Sequence, residues 1–452
     1  MTVIPVVPGA APPPPPDSAN PQHHAHSGYR TALAIVVGIL VMLFIGSIVG
    51  TTIKSDVAII NLVGLVVVGF FAGGTYLLVI AFSLKDKAKR HRRVGIASIV
   101  LGIALLLWML VVAALIANLN ILGAIISIPT TGFAIWVLRH LNRNQHEPWR
   151  LVLAAFGWGG VVAVNIAIVL EGPFDRIFVA GLIPGPGQGL SGAWSAAVFE
   201  ELPKGLAVVL LYLVMRKSFD DVVDGILYGA MVGLGFNFVE GLGYMAAHGI
   251  IGQFYVRQLL GLFTGHTTYT ALIGAGLGVA RQQNAAWKRL VAILSGFTAA
   301  VAAHFLWDAA AMTSFLPHTS NAALEVFVFL PLRVLLIDGP FTAMVLALLI
   351  LGLRREGRIL RTELNNEAGL GLGTVLPEEV EILANPRKRA SWRRSEFSHF
   401  GWKGYRWLGR LQRAQLALAW ERWHRANQDI DEPLEEEERL RQHILAIRAG
   451  GR

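Results

Sequence analysis

About ten apolar segments run through this chain, each long enough, or nearly so, for the ~20 residues that cross the hydrocarbon core of a bilayer. Backbone polar groups inside lipid need partners within the segment itself, so runs of this length read as helices. They lie at residues 31–53, 57–83, 94–118, 121–138, 150–171, 194–215, 222–247, 258–280, 289–312 and 325–353. The composition agrees: 54% of the residues are hydrophobic and 15% charged, far from a soluble chain. The expected fold is all-α, a polytopic transmembrane helical bundle of about ten spans with a helical tail. Thr31–Ile53 is too long and too poorly flanked to be a cleaved signal peptide.

The loops alternate in charge. Lys85–Arg93, Arg139–Arg150, Arg216 with Lys217, Arg281–Arg289 and Arg354–Arg361 are basic, and the loops between them carry few positive charges. The positive-inside rule then puts both termini in the cytoplasm and the protein in the plasma membrane. Residues 1–28, with prolines at each position from Pro12 to Pro16, cannot build a core and are expected to be disordered. Residues 29–120 read as accessory spans, 121–315 as the functional core, 316–354 as a last transmembrane segment and 355–452 as a cytoplasmic tail. In the last segment, Arg333 and Asp338 interrupt the apolar run, which leaves open a surface helix followed by a shorter span.

The net charge of +9 does not make the chain a nucleic-acid binder. Of the 39 Lys and Arg residues, 19 lie after residue 353, beside 15 acidic residues. Trp392, Trp402 and Trp407 interleave with Arg and Lys there, a pattern suited to the surface of a bilayer with anionic lipid. A Gly-rich hinge at Gly369–Gly373 precedes this stretch. No cysteine occurs, so disulfides, thiol nucleophiles and thiolate metal sites are excluded.

Ionisable side chains inside a membrane cost roughly 2.5–3.5 kcal/mol each, so those that persist are candidates for function. They fall on four consecutive segments: Glu200, Glu201 and Lys204 in FEELPKG; Glu240 in FNFVEGLGY; His266 in FTGHTTYT; His304 and Asp308 in AHFLWDAA. With those boundaries, Glu200, Glu240, His266 and His304 sit ~9–12 Å below one membrane surface at about 1.5 Å rise per residue. Helices of alternating direction would scatter unrelated residues, so the matched depth implies one cluster. His304 and Asp308 share a helix face, which lets the carboxylate orient the imidazole or join it on a metal. Pro203 opens the backbone beside the glutamates. Gly225, Gly229 and Gly233 form a small-residue stripe for close helix packing, and Asp221 and Asp224 read as helix caps. Taken alone, the Glu201–Lys204 pair reads equally as a plain intrahelical ion pair.

These motifs resemble, one by one and in order, those of the PrsW family of intramembrane proteases, relatives of the CAAX-processing and bacteriocin-immunity membrane proteases. Glu200, Glu201 and Lys204 match its EExxK, Phe236 and Glu240 its FxxxE, and His266 and His304 its later histidines; Glu147 and Pro148 match an upstream acidic-proline signature. The similarity covers residues 125–315. It implies an endopeptidase that hydrolyses a membrane-anchored protein near the outer face, an anti-sigma factor in the family's case. Glu200 would activate water with Glu201 as its partner, and His266 and His304 would bind a metal or polarise the scissile carbonyl. His266, His304 and Glu240 or Asp308 would suffice for a catalytic Zn²⁺. Lys204 argues for a metal-free site, because its ammonium already offsets carboxylate charge. The competing reading of the residues is a proton-coupled transporter built on the same buried carboxylates and histidines.

Overall fold

The computed structural model describes residues 120–452 apart from 146, 175–186, 215–218, 313–318, 428–434 and 451–452, with scattered positions between 92 and 113. The expected disordered segment 1–28 and the expected spans 31–53 and 57–83 lie outside the described residues, and 94–118 is described only at isolated helical positions. The chain divides into two compact units, Met1–Leu105 and Leu106–Arg452, and every helix with described boundaries belongs to the second.

All regular elements of the described residues are helical. α1 spans Ile121–Leu141. α2 runs without interruption through Trp149–Gly157, a π-helical stretch Trp158–Ala163, and Val164–Phe174. α3 is Gly187–Val214 and α4 is Val222–His248. α5, Ile250–Phe254, passes into a π turn at Tyr255–Leu260. α6 is His266–Arg281 and α7 is Ala286–Met312. α8 is a continuous run, Ala322–Gly369, followed by α9 (Pro377–Leu383), α10 (Pro386–Asn427) and α11 (Glu435–Ala449). Five of these runs are long and apolar enough to cross a membrane: Ile121–Leu141, Trp149–Ile168, Val222–His248, Ala286–Ala311 and Ala322–Gly369. The protein is a multi-pass membrane protein; these five runs are the ones found among the described residues, against about ten spans expected over the whole chain.

One expected segment folds differently, and a second keeps the continuous form expected of it. The run 258–280 is not one span: the chain breaks at Gly261–Gly265 and α6 starts at His266. Hydroxyls take up the carbonyls freed there. Thr264 Oγ1 donates to Leu260 O (3.0 Å), Thr267 Oγ1 to Leu262 O (2.7 Å) and Thr268 Oγ1 to Phe263 O (2.7 Å). Non-helical backbone is tolerated at membrane depth when it is satisfied in this way and lines a cavity. The second is 325–353, which does not divide into a surface helix and a short span. α8 stays helical past Arg333 and Asp338 through two π segments. Arg333 is neutralised by Glu325 at 2.8 Å and Asp338 accepts from Tyr269 at 2.7 Å.

α4 is the axis of the core. Its residues from Val222 to Asn237 are almost all buried, although its sequence is apolar all round, the pattern of a helix surrounded by others. The glycine stripe explains how close the neighbours come. A Cβ at Gly225, Gly229 or Gly233 would collide with the carbonyls of Gly274, Thr270 and His266 on α6, and one at Gly235 with Phe156 O on α2. α4 begins at a capping box: Asp221 accepts from Val223 N (2.8 Å), and Asp224 accepts from the N-cap Asp221 N (3.4 Å) as well as from Asp220 N (2.9 Å), as expected for these acids.

Candidate active site

α3 supplies Glu200, Glu201 and Lys204 from one helical face, since i, i+3 and i+4 positions are neighbours. Lys204 Nζ donates to Glu200 at 3.1 Å, to Glu201 at 2.8 Å and to His266 Nδ1 at 3.0 Å, and it sits 3.6 Å from the centre of the Phe236 ring. The other nitrogen of that imidazole, Nε2, lies 2.8 Å from Glu240. Glu240 is held in turn by Arg257 Nη1 at 2.5 Å. His304 places Nδ1 3.1 Å from Glu201, and its Nε2 is 3.3 Å from Asp308 and 3.7 Å from Glu200. All seven sequence-predicted residues therefore meet in one network, which with Arg257 sets four carboxylates against two permanent cations and two imidazoles. Burying ions of one sign would be prohibitive; interleaving them is what permits the cluster.

The glutamates of the pair differ in access. Glu200 lines a cavity of about 640 Å³ together with Glu240, His266, His304, Asp308, Tyr269 and Asp338. Glu201 and Lys204 are fully buried and form no part of its wall. Thr270 Oγ1 donates to Glu201 Oε2 at 3.1 Å, completing its shell. A molecule in the cavity reaches Glu200 and the two histidines, whereas Glu201 and Lys204 act from behind them.

Among the described residues one group has three donor atoms close enough to share a metal ion: Glu200, His266 and His304, within 4.8 Å of one another and all buried. Two imidazoles and a carboxylate are the donor set of a catalytic metal that keeps an open position, so these residues fit such an ion. The carboxylate is Glu200; Glu240 and Asp308, the acids favoured from sequence, lie outside the group. Glu240 is engaged by Arg257 instead. With an ion present, Lys204 would keep Glu201, its nearest carboxylate and one outside the donor group.

Sequence reasoning gave no part in the site to Arg257, Thr270 or the Tyr269–Asp338 pair. Arg257 was legible as a charge in an apolar stretch; Thr270 and Tyr269 carry no such signal. Glu147 lies apart from the cavity, at the other end of α4, where Tyr228 donates to it. Burial there pushes its carboxyl up to about 7, against the Tyr228 hydrogen bond.

Residues 147–336 match the model of a family described as PrsW family intramembrane metalloprotease. That segment is similar to the PrsW family. It holds the whole network, from the EExxK glutamates to Asp308. The chain is also similar to Protease PrsW of Bacillus subtilis (strain 168), 32% identical over 140 residues, which cover 31% of this chain and 60% of that protein. Protease PrsW of Geobacillus kaustophilus (strain HTA426) is 27% identical over 141 residues, 31% of this chain and 58% of the relative. The chain thus spans about 60% of the length of these curated relatives. No solved structure matches it.

Proposed function

We propose that the protein is an endopeptidase of the membrane interior that hydrolyses a peptide bond of a membrane-anchored protein. The observation that carries this reading is the convergence of Glu200, His266 and His304, from three helices, on the wall of one cavity. The similarity of the segment containing them to the PrsW family supports it.

Glu200 is the carboxylate a water molecule in the cavity can reach. It takes the proton as the water oxygen bonds to the scissile carbonyl carbon, then delivers that proton to the amide nitrogen as the C–N bond breaks. His304, flanked by Glu201 and Asp308, is held in one ring orientation and donates to the carbonyl oxygen as negative charge develops there. Lys204 and Arg257 keep Glu201 and Glu240 ionised and fixed, so that His266 and His304 are presented rather than collapsed onto the acids. In the alternative, metal-loaded site, His266, His304 and Glu200 would be ligands, and a Zn²⁺ ion would supply Lewis acidity for the carbonyl and the water in place of the Glu200 base and the His304 donor. The substrate class is a single-span protein cut near the outer face, an anti-sigma factor by the family resemblance, with both termini of the protease in the cytoplasm.

The test is cleavage by purified protein in lipid nanodiscs of a single-span reporter. Two fragments should appear, cut near a membrane surface, and Glu200→Gln should give none while remaining folded. Normal cleavage by that variant would remove Glu200 from the mechanism, and intact reporter with every variant and the parent would leave the transporter reading in its place.

A further inference from the structure

The cations of the tail fall into two sets. Arg422, Arg425, Arg441 and Arg448 are spent within the tail and on the end of α8: Arg422 meets Glu367 at 3.0 Å, Arg425 Glu437 at 2.6 Å, Arg441 Glu367 at 2.9 Å and Arg448 Glu379 at 2.5 Å. Lys403, Arg406, Arg410 and Arg413 differ. Their spacing puts them on one stripe of α10, opposite the buried Gly404, Leu408, Leu411 and Gln415. With Arg393, Tyr405 and Trp407 they line a cavity of about 540 Å³ whose wall, among the described residues, has no acidic side chain. Arg393 Nε is buried there without a hydrogen-bond partner. Five cations converging on one space repel one another, and nothing in the protein's own wall offsets them.

Two further observations say where this cavity lies. Arg393, Tyr405, Gly409 and Arg413 also line a neighbouring cavity of about 490 Å³, and its opposite wall is Trp136, Arg139 and His140 in the last turns of α1. α1 is a membrane-crossing helix; Trp136 is exposed, and Arg139 stacks on Trp149 at 4.1 Å. Tryptophan and arginine at a span's end mark headgroup level. Next to the basic stripe, Phe397, Phe400 and Trp402 are exposed, with Phe397 and Trp402 packed at 5.1 Å. Gly401, at φ 59° and ψ −151°, provides the break in α10 between Phe400 and Trp402, a conformation that favours glycine.

We infer that the basic cavity of α10 binds the phosphate of an anionic phospholipid headgroup in the leaflet on the tail side, with Lys403, Arg406, Arg410 and Arg413 facing the phosphate and the Phe397–Phe400–Trp402 cluster entering the adjacent acyl boundary. The cavity supplies charge, the end of α1 supplies headgroup depth, and the aromatic cluster supplies the apolar neighbour that a free phosphate ion would not need. This site is independent of the proteolytic reading.

Thermal unfolding of the full chain in neutral detergent tests it, with three titrants: phosphatidylglycerol, phosphatidylcholine and inorganic phosphate. Phosphatidylglycerol should raise the midpoint saturably and the other two should not. The triple change Lys403→Gln, Arg410→Gln, Arg413→Gln should need at least ~10-fold more phosphatidylglycerol for the same shift, and Arg410→Gln alone should show a smaller loss in the same direction. These side chains are exposed, so the midpoint without lipid should not move. A charge-matched control, Arg358→Gln, Arg387→Gln, Lys388→Gln, should respond like the parent. An unchanged response in the triple variant, or an equal loss in the control, would overturn the site; a shift with inorganic phosphate equal to that with lipid would overturn the lipid as its ligand.

Discussion

The two ends of α4 carry buried acids of similar number and opposite meaning. At one end Glu200, Glu201, Glu240 and Asp308 are interleaved with Lys204, Arg257 and two histidines, and they border a cavity. At the other, Glu147, Asp220, Asp221, Asp224 and Glu356 are buried mainly among amides, hydroxyls and backbone N–H groups, with Arg355 3.4 Å from Asp221. Asn142 donates to Asp224 at 3.2 Å, Asn144 to Glu356 at 2.7 Å and Gln145 to Asp220 at 3.2 Å. The tail closes over this second end: Arg389 donates to Arg143 O and to Asn144 Oδ1, Trp420 to Asn144 O, and His424 meets Asp220 at 2.7 Å. Burial of a carboxylate is thus no mark of chemistry by itself. Glu147 also borders a cavity, so what separates the two ends is the pair of imidazoles that share a cavity wall with carboxylates at the first.

Several changes would break or sharpen that contrast. The largest effect is expected from Glu200→Gln, which should lower cleavage by at least ~10²-fold without lowering stability; Glu201→Gln should also impair cleavage but destabilise the fold, because it strips Lys204 and His304 of a buried partner. Next in size is the metal. Elemental analysis of the purified parent should find about one zinc per chain, and the double change His266→Ala, His304→Ala should abolish it; an active parent that stays metal-free after chelation would mean that the imidazoles act without an ion. At the opposite end, Asp224→Ala should cost roughly 1–2 kcal/mol through loss of the capping box, read as a lower unfolding midpoint, with cleavage by the folded fraction retained.

The smallest expected effect is one of pH. Burial raises the Glu147 carboxyl to about 7 and that of Asp221 to about 6, so the folded state holds protons that the unfolded chain has already released. Stability from these groups is present at low pH and is lost as pH rises through about 6 to 7. The unfolding midpoint should fall from about pH 4.5 to about pH 7 and level off above that, and Glu147→Gln should flatten the fall. An identical fall in the variant would assign the pH dependence to other groups.

Much of the reactive end was legible in the sequence for a physical reason: each charged residue in an apolar run carries a penalty, so Glu200, Glu201, Lys204, Glu240, His266, His304 and Asp308 stood out without knowledge of their contacts. The depth argument brought them together correctly, yet its path for His266 was wrong. That residue was placed inside a continuous span, but it opens α6 after a break that Gly261 and Gly265 permit and that threonine hydroxyls stabilise. No proline or charge announced the break. The choice of the carboxylate that groups with both imidazoles was equally hidden, because Arg257 reaches Glu240 from the π turn after α5 only once the chain has folded back. At the tail end, sequence identified Asp221 and Asp224 as caps from position alone. The docking of Arg389, Trp420 and His424 onto the 142–147 loop and Asp220 rests on pairings across more than 200 residues, which local patterns do not encode.

The most direct test sets the two ends side by side in one assay. Parent, Glu200→Gln and Asp224→Ala proteins, each reconstituted in proteoliposomes with a single-span reporter, are compared for cleavage rate and unfolding midpoint. Glu200→Gln is expected to give no product at an unchanged midpoint, and Asp224→Ala to give product at the parent rate per folded molecule with a lowered midpoint. Cleavage at the parent rate by folded Glu200→Gln would contradict the assignment of the reactive end.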